Sequence, residues 1–313
     1  MKKNYFSFFE AALLVCLSMT CFGQDPHLPP TNLGTANVND GMAGKPGFIY
    51  QGFTQFFQTR NVYDQNSNKV NSDLKVNSIL QLNQVIYQTP VRVFGGNLVF
   101  TVLFPVVQIT SSENGRMGPA TNSSILGDVI QGTAIQWSDR KLFGKPFSHR
   151  AEFDVSLPTG NYSARYDINP SAHSWSYGVY HALTLVLNGR VSMSTRNQLN
   201  YNTHFIGSGD KAGAFYNGNY SIDYSILPTL KIEAVAYYLK QLNQDSYNGD
   251  HHYYQNQFGI SDTKEKVLGA GPGMAYFAPG GVLIEGKVFF ETAARNRLSG
   301  TRPTIRLLIP LSK

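Results

Sequence analysis

Residues 215–239 read FYNGNYSIDYSILPTLKIEAVAYYL. Tyr216, Tyr220, Ile222, Tyr224, Ile232, Ala234 and Tyr238 fall on even positions, whereas Asn217, Asn219, Ser221, Asp223, Lys231 and Glu233 fall on odd ones. A period of two marks an extended strand with two unlike faces. The alternation crosses Leu227-Pro228-Thr229 in phase, so the stretch reads as two antiparallel strands joined by a tight turn. Such a hairpin can hide its apolar face against a second sheet, or turn it out to lipid around a wet interior.

The rest of the chain favours lipid. From Gly47 onward the period predicts twelve strands, near 47–59, 74–87, 96–107, 126–137, 149–157, 174–186, 190–200, 214–226, 230–242, 267–277, 282–293 and 302–311. Ala151, Phe153, Val155 and Leu157 alternate with Glu152, Asp154 and Ser156; Leu74, Val76, Leu80, Leu82 and Ile86 alternate with Lys75, Asn77, Gln81 and Asn83. The first and fourth strands alternate less cleanly. Connections near 60–73, 108–125, 158–173, 201–213, 243–266 and 294–301 are long, and those between them are shorter. Alternating long and short connections on an even number of strands are the pattern of a transmembrane barrel, with short periplasmic turns and long extracellular loops. The segments also match the roughly 9–11 residues a tilted strand needs to cross a bilayer. Only 15% of residues are charged and 13% are aromatic, which suits a lipid-facing exterior. The predicted fold is all-β: an antiparallel transmembrane barrel of about 12 strands occupying residues 47–313.

Parity then sorts the side chains. A three-residue turn at 227–229 pairs Ile226 with Leu230 and keeps even residues on one face. A slip by one residue would put Asp223, Lys231 and Glu233 in lipid, and a Lys at the membrane centre costs about 2–4 kcal/mol. In Leu187-Asn188-Gly189-Arg190, a three-residue turn with Gly189 in a left-handed bulge aligns Leu185 with Val191 and Leu183 with Met193. The inward set includes Lys75, Glu152, Asp154, Arg190, Arg196, Asp223, Lys231, Glu233, Glu285, Lys287, Glu291, Arg302 and Arg306. These are the candidate lumen-lining residues. Their mixed signs argue against strong ion selectivity. Glu291 should lie near Arg302 or Arg306 across the last hairpin.

Residues 1–23 read as a signal peptide: a basic start (Met1-Lys2-Lys3), a mostly apolar run, and small residues before Gln24. Cys16 and Cys21 both fall within it, so the mature chain is expected to hold no disulfide. Residues 24–46 are rich in Pro, Asn and Gly and show no period. They are expected to be an irregular periplasmic segment, or one folded into the lumen. Twelve strands lie between eight, which side chains fill, and sixteen, which leave an open pore, so a narrow or plugged lumen is expected. The net charge of +6 is scattered without a basic run, which argues against nucleic-acid binding.

Enzymatic signal is slight. The chain has no glycine-rich phosphate loop, no metal-spaced Cys/His set and no nucleophile elbow. Asp250-His251-His252 reads as a solvated loop. His173-Ser174 and His181 raise the alternative of an outer-membrane hydrolase with Ser activated by His. A third reading is a structural barrel without transport.

Several short stretches resemble the outer-membrane proteins grouped under the MetA pathway of phenol degradation, also called SphA-like transporters. They are HLPP at 27–30, LGD at 126–128, LPTGNY at 157–162 with Trp175 and Gly178 following, YNGNYSIDYS at 216–225, YYLKQL at 237–242, LGAGPGMAYF at 268–277 and RLLIPL at 306–311. The resemblance implies a barrel in the outer membrane of a Gram-negative bacterium that passes small hydrophobic or aromatic compounds. No cofactor, metal or catalytic residue is expected. Expected partners are outer-membrane lipid and lipopolysaccharide, the barrel assembly machinery and a small hydrophobic solute, with the chain a monomer or weak oligomer. The ending Leu311-Ser312-Lys313 lacks the terminal aromatic common in such barrels.

Overall fold

The computed structural model describes residues 32–35, 38–113 and 118–311. The expected signal peptide, both cysteines and the 27–30 motif lie outside the described residues. Within them run twelve long antiparallel strands: β1 (Gly47–Tyr63), β2 (Lys75–Val93), β3 (Gly96–Ser112), β4 (Val129–Leu142), β5 (Lys145–Leu157), β6 (Ser176–Val186), β7 (Val191–Asn202), β8 (Phe215–Leu227), β9 (Leu230–Gln241), β10 (Lys266–Phe277), β11 (Leu283–Arg295) and β12 (Arg297–Pro310). Each pairs with the next. β12 returns to β1 from Ile49↔Pro310 to Tyr63↔Arg297, which closes the sheet. Closure leaves no strand edge, and a lipid-facing edge would strand a row of backbone donors and acceptors in hydrocarbon. One short helix, α1 (Tyr253–Phe258), sits in the loop between β9 and β10.

One end carries the short turns at 94–95, 143–144, 187–190, 228–229 and 278–282. The other carries the connections 64–74, 113–128, 158–175, 203–214 and 242–265. The sixth connection at that end departs from expectation. Instead of a loop over 294–301, β11 and β12 meet at Asn296, whose φ is +51°. Its backbone N–H donates to the Asp64 carbonyl and its amide to the Asp262 carbonyl, while the Gly300 N–H donates to Glu291. These non-alternating residues are thus held as strand by polar contacts that carry no period.

Across Pro228-Thr229 the strands keep the expected register from Ser225↔Lys231 onward, with Ile226 bulged so that Leu227 closes the turn against Leu230. One turn register does differ. At the next turn Leu185 pairs with Met193 and Leu183 with Thr195, two residues away from the expected register. Gly189 is not left-handed there. The Asn188 side chain instead accepts from the N–H groups of Arg190 and Val191 and closes the turn itself. A slip of two residues keeps every side chain on its face, so Tyr216, Tyr220, Tyr224 and Tyr238 keep the even-numbered outer parity.

The outward faces of β5 to β12 are apolar: Phe153, Val179, Leu199, Ile222, Ile232, Met274, Ile284, Phe290 and Ile305 are exposed. β2 is reversed. Leu82 and Ile86 are buried inside, while Gln81 and Asn83 face out, where they accept hydrogen bonds from Thr54 (2.6 Å) and Tyr50 (2.8 Å) of β1. Lys75 is therefore on the outer face at the long-loop end, exposed, and is not a lumen residue. Arg190 is likewise corrected: it sits exposed in a short turn and donates to the Tyr224 hydroxyl at 3.0 Å on the outer wall. The first error came from assuming that the more apolar face always meets lipid; the second came from carrying the strand parity past Val191 into the turn.

Crowding at the β10–β11 seam supplies a test. A Cβ on Gly271 would overlap the Val288 carbonyl oxygen, whereas one on Gly286 would meet nothing within 4 Å. Gly271→Val should cost about 1–3 kcal/mol or more and weaken the compact, heat-modifiable band on gels. Gly286→Ala should migrate as the parent does. Equal behaviour of the two variants would contradict this seam.

Candidate functional site

Residues 32–35 and 38–44 of the N-terminal segment run inside the barrel. Gly34 N–H donates to Asn219 Oδ1 (2.7 Å), and the Asn217 and Asn219 amides both donate to the Asn32 carbonyl (3.1 and 2.9 Å). Gln55 donates to the Leu33 carbonyl, Lys287 to that of Thr35, Arg306 to that of Val38, Gln136 to that of Gly41 and Gln88 to that of Gly44. Leu33 packs with Phe215, Tyr237, Leu239 and Phe289, and Val38 packs with Ala275 and Leu283. Gly34 has φ +78° and lies so close to the Phe289 ring that no side chain fits. An irregular segment has unpaired backbone groups, and inward Asn, Gln, Lys and Arg side chains satisfy them here.

The inward charges gather into four groups. Lys287 Nζ and Arg306 Nη1 both meet Glu285, at 2.7 and 3.2 Å, with all three side chains buried. Arg306 also donates to Gln51 Oε1 at 2.8 and 3.0 Å. Glu233 lies alongside, over Gly273, where a Cβ would come within 2.7 Å of its carboxyl. In the second group Arg302 Nη2 meets Glu291 Oε1 at 3.1 Å, Tyr237 donates to the same oxygen at 2.6 Å, and Arg302 lies over the Phe57 ring. Arg302 is thus the partner of Glu291, and Arg306 belongs to Glu285. In the third, Lys231 reaches Asp223 at 2.6 Å, with Ser192 donating to both Asp223 oxygens. In the fourth, Arg150 and Tyr180 hold Glu152, and Thr101 donates to it at 2.7 Å. Arg196, stacked over Tyr180, holds Asp40 of the segment through two bonds of 2.7 and 2.8 Å. Arg150 shares the parity of Glu152 and was legible by that rule. Asp40 was not, since no period leads to it.

Above the segment lies a cavity of about 300 Å³. The segment (Asn32, Leu33, Thr35) and the 169–172 loop bound it. Its two walls differ. Leu80, Leu82, Leu103, Pro105, Val107, Ile109 and Ile130 of β2–β4 form one, and Glu152, Asp154, Arg196, Gln198 and Asn200 of β5 and β7 help form the other. The apolar wall escaped the sequence reading, because apolar inward parity is what a wet lumen rule rejects.

The 126–128 and 157–162 motifs lock together at the mouth. Asp128 is fully buried and accepts from Gly160 N–H (3.0 Å), Ser171 Oγ (2.6 Å) and Ala172 N–H (2.9 Å). Asn161 exchanges hydrogen bonds with both backbone groups of Leu126, and a Cβ on Gly160 would collide with Leu126 and Gly127. The motifs therefore fasten the loop that roofs the cavity.

No hydrolase arrangement forms around Ser174. Its buried Oγ has no hydrogen-bond partner, His173 stacks on Tyr162, and His181 sits on the outer wall against His149 at 3.1 Å. Asp250 caps the His252 N–H in a loop turn, and among the described residues no group of three or more His, Cys, Asp or Glu is placed to hold a metal.

Two substitutions probe the lumen. Glu285→Ala would leave Lys287 and Arg306 buried without their carboxylate. The expected cost is about 3–5 kcal/mol, read as a fall in unfolding temperature in detergent; an unchanged temperature would show that the group is hydrated. Asp128→Ala should free the 158–172 loop and make it a site of limited proteolysis, with the barrel core resistant.

Comparisons with other proteins agree with this architecture. The fold aligns with the COG4313 outer membrane channel from Pseudomonas putida F1 at a TM-score of 0.71, with 14% identity, covering 90% of this chain and 99% of that one. The β domain of the Bordetella autotransporter BrkA (TM-score 0.45, 9% identity, 86% and 100% covered) and a TodX monoaromatic hydrocarbon channel variant (0.41, 8%, 86% and 90%) are more distant. Among proteins of curated function none matches. The family model for the MetA-pathway of phenol degradation matches residues 59–307. That span is most of the barrel, and the chain belongs to this family.

Proposed function

We propose that this chain is an outer-membrane channel for small, predominantly apolar solutes, with its N-terminal segment as the constriction. The two-faced cavity carries the reading. A lumen that only passed water and ions would need no wall of Leu80, Leu82, Leu103, Val107 and Ile130. An apolar cavity of about 150 Å³ suffices for benzene, so about 300 Å³ has room for a substituted single ring. The polar wall would hold one hydrogen-bonding substituent while the ring lies on the apolar one. The short turns then face the periplasm and the long loops the exterior, as in other barrels of this kind. Passage is passive and involves no bond chemistry.

Liposome uptake tests this. Leu82→Asn with Leu103→Asn should slow uptake of small aromatics and leave that of glycerol unchanged. Equal loss of both, or loss of neither, would remove the apolar wall from the mechanism. Gly41 lies against the backbone of Leu183 with no room for a Cβ. Gly41→Val should therefore push the segment off the wall and raise conductance in planar bilayers. An unchanged conductance in a correctly folded barrel would mean that the segment does not limit flow.

A further inference from the structure

Two hairpins at the short-turn end share an unusual construction. β2 turns into β3 through Phe94-Gly95, and β4 into β5 through Phe143-Gly144. Both residues of each turn have positive φ: +49° and +77° in the first, +52° and +75° in the second. The first position of such a turn favours Asn, Asp or Gly, because a larger side chain crowds the following carbonyl. Phe has no side-chain oxygen to relieve this. Nor does packing explain it, since the two rings are 86% and 89% exposed, against 60% for Val179, the next large apolar side chain among the described residues. Backbone strain kept without a gain inside the molecule points to a use outside it. The other short turns, at 187–190, 228–229 and 278–282, carry no aromatic residue.

The two tips belong to one patch. Trp137 Nε1 donates to the Phe94 carbonyl at 2.9 Å, and Arg140 Nη2 to the Gly95 carbonyl at 2.7 Å. Arg92, Arg140, Lys141 and Lys145 are all exposed there, with Asp139 the one acidic residue in the two hairpin ends. A cluster of four cations calls for an anionic occupant. Exposed aromatic rings call for one with an apolar layer behind its charge. A soluble anion would satisfy the cations and leave both rings in water.

We propose that the two hairpins form a docking site for anionic phospholipid of the periplasmic leaflet. Arg92, Arg140, Lys141 and Lys145 meet the phosphates, and Phe94 and Phe143 enter the boundary below them. The proposal rests on the outer-membrane reading above, which places the short turns at the periplasmic face. It fixes one sector of the barrel, the sector whose inner side is the apolar wall, to the leaflet.

Trp137 is a built-in reporter. The chain has two tryptophans, so Trp175→Phe leaves Trp137 alone. The full-length protein is reconstituted in vesicles of phosphatidylcholine with added brominated phosphatidylglycerol or brominated phosphatidylcholine, and Trp137 quenching is compared. The expected preference for the anionic lipid is roughly fivefold, the worth of one well-placed cation at an anionic surface. It should fall toward unity when Arg92, Arg140, Lys141 and Lys145 are all changed to Gln, and in high salt. Phe94→Asn with Phe143→Asn, residues the turns accept, should fold as well as the parent and still lose part of the preference. Equal quenching by the two lipids in a heat-modifiable, inserted barrel would overturn the lipid site and leave the channel reading standing. So would a preference that survives the four Gln changes. Failure of the parent to insert would overturn both.

Discussion

The pairing of β12 with β1 is the constraint on which the rest depends. A wall in hydrocarbon must satisfy its backbone hydrogen bonds within itself, and only closure does so for a sheet. Closing at twelve strands then sets the size of the interior. Side chains alone would fill eight strands, and sixteen would leave an open pore. Here the gap is taken up by chain, through residues 32–35 and 38–46, and by a residual cavity of about 300 Å³.

Filling a lumen with irregular backbone creates a second demand. The carbonyls of Asn32, Leu33, Thr35, Val38, Gly41 and Gly44 all need donors, and the wall supplies them from Asn, Gln, Lys and Arg. Lys287 and Arg306 in turn need Glu285, because two buried cations without a carboxylate would be costly. The charges that looked like a channel lining are thus in large part the socket of the segment. The remaining cavity lies on the β2–β4 side, where the wall is apolar and the segment makes fewer polar contacts.

Legibility followed the contrast between faces. On β8, β9, β11 and β12 the inward positions carry Asp, Glu, Lys and Arg, and lipid excludes these strongly enough that parity alone placed Asp223, Lys231, Glu233, Glu285, Lys287, Glu291, Arg302 and Arg306 in the interior. The same held for Glu152 and Asp154 on β5 and Arg196 on β7. On β2 both faces are uncharged along the strand centre, so nothing expensive decided the matter. Gln81 and Asn83 could face outward once Thr54 and Tyr50 of β1 met them. The register error at 187–190 did no harm to this sorting, because a shift of two residues preserves parity.

By itself the sequence determined the barrel, its strand number and the inward charges other than Lys75 and Arg190, since period two and the cost of charge in lipid are local properties of each strand. It also carried the 126–128 and 157–162 motifs, though not their purpose. Only the tertiary structure decided that Asp128 joins them, that Glu291 meets Arg302, that Asp40 meets Arg196, and that β2 presents leucines to the interior. Each of these depends on which residues from distant strands reach the same depth of one lumen, and that is set by closure and stagger around the whole barrel, to which no single stretch of chain has access.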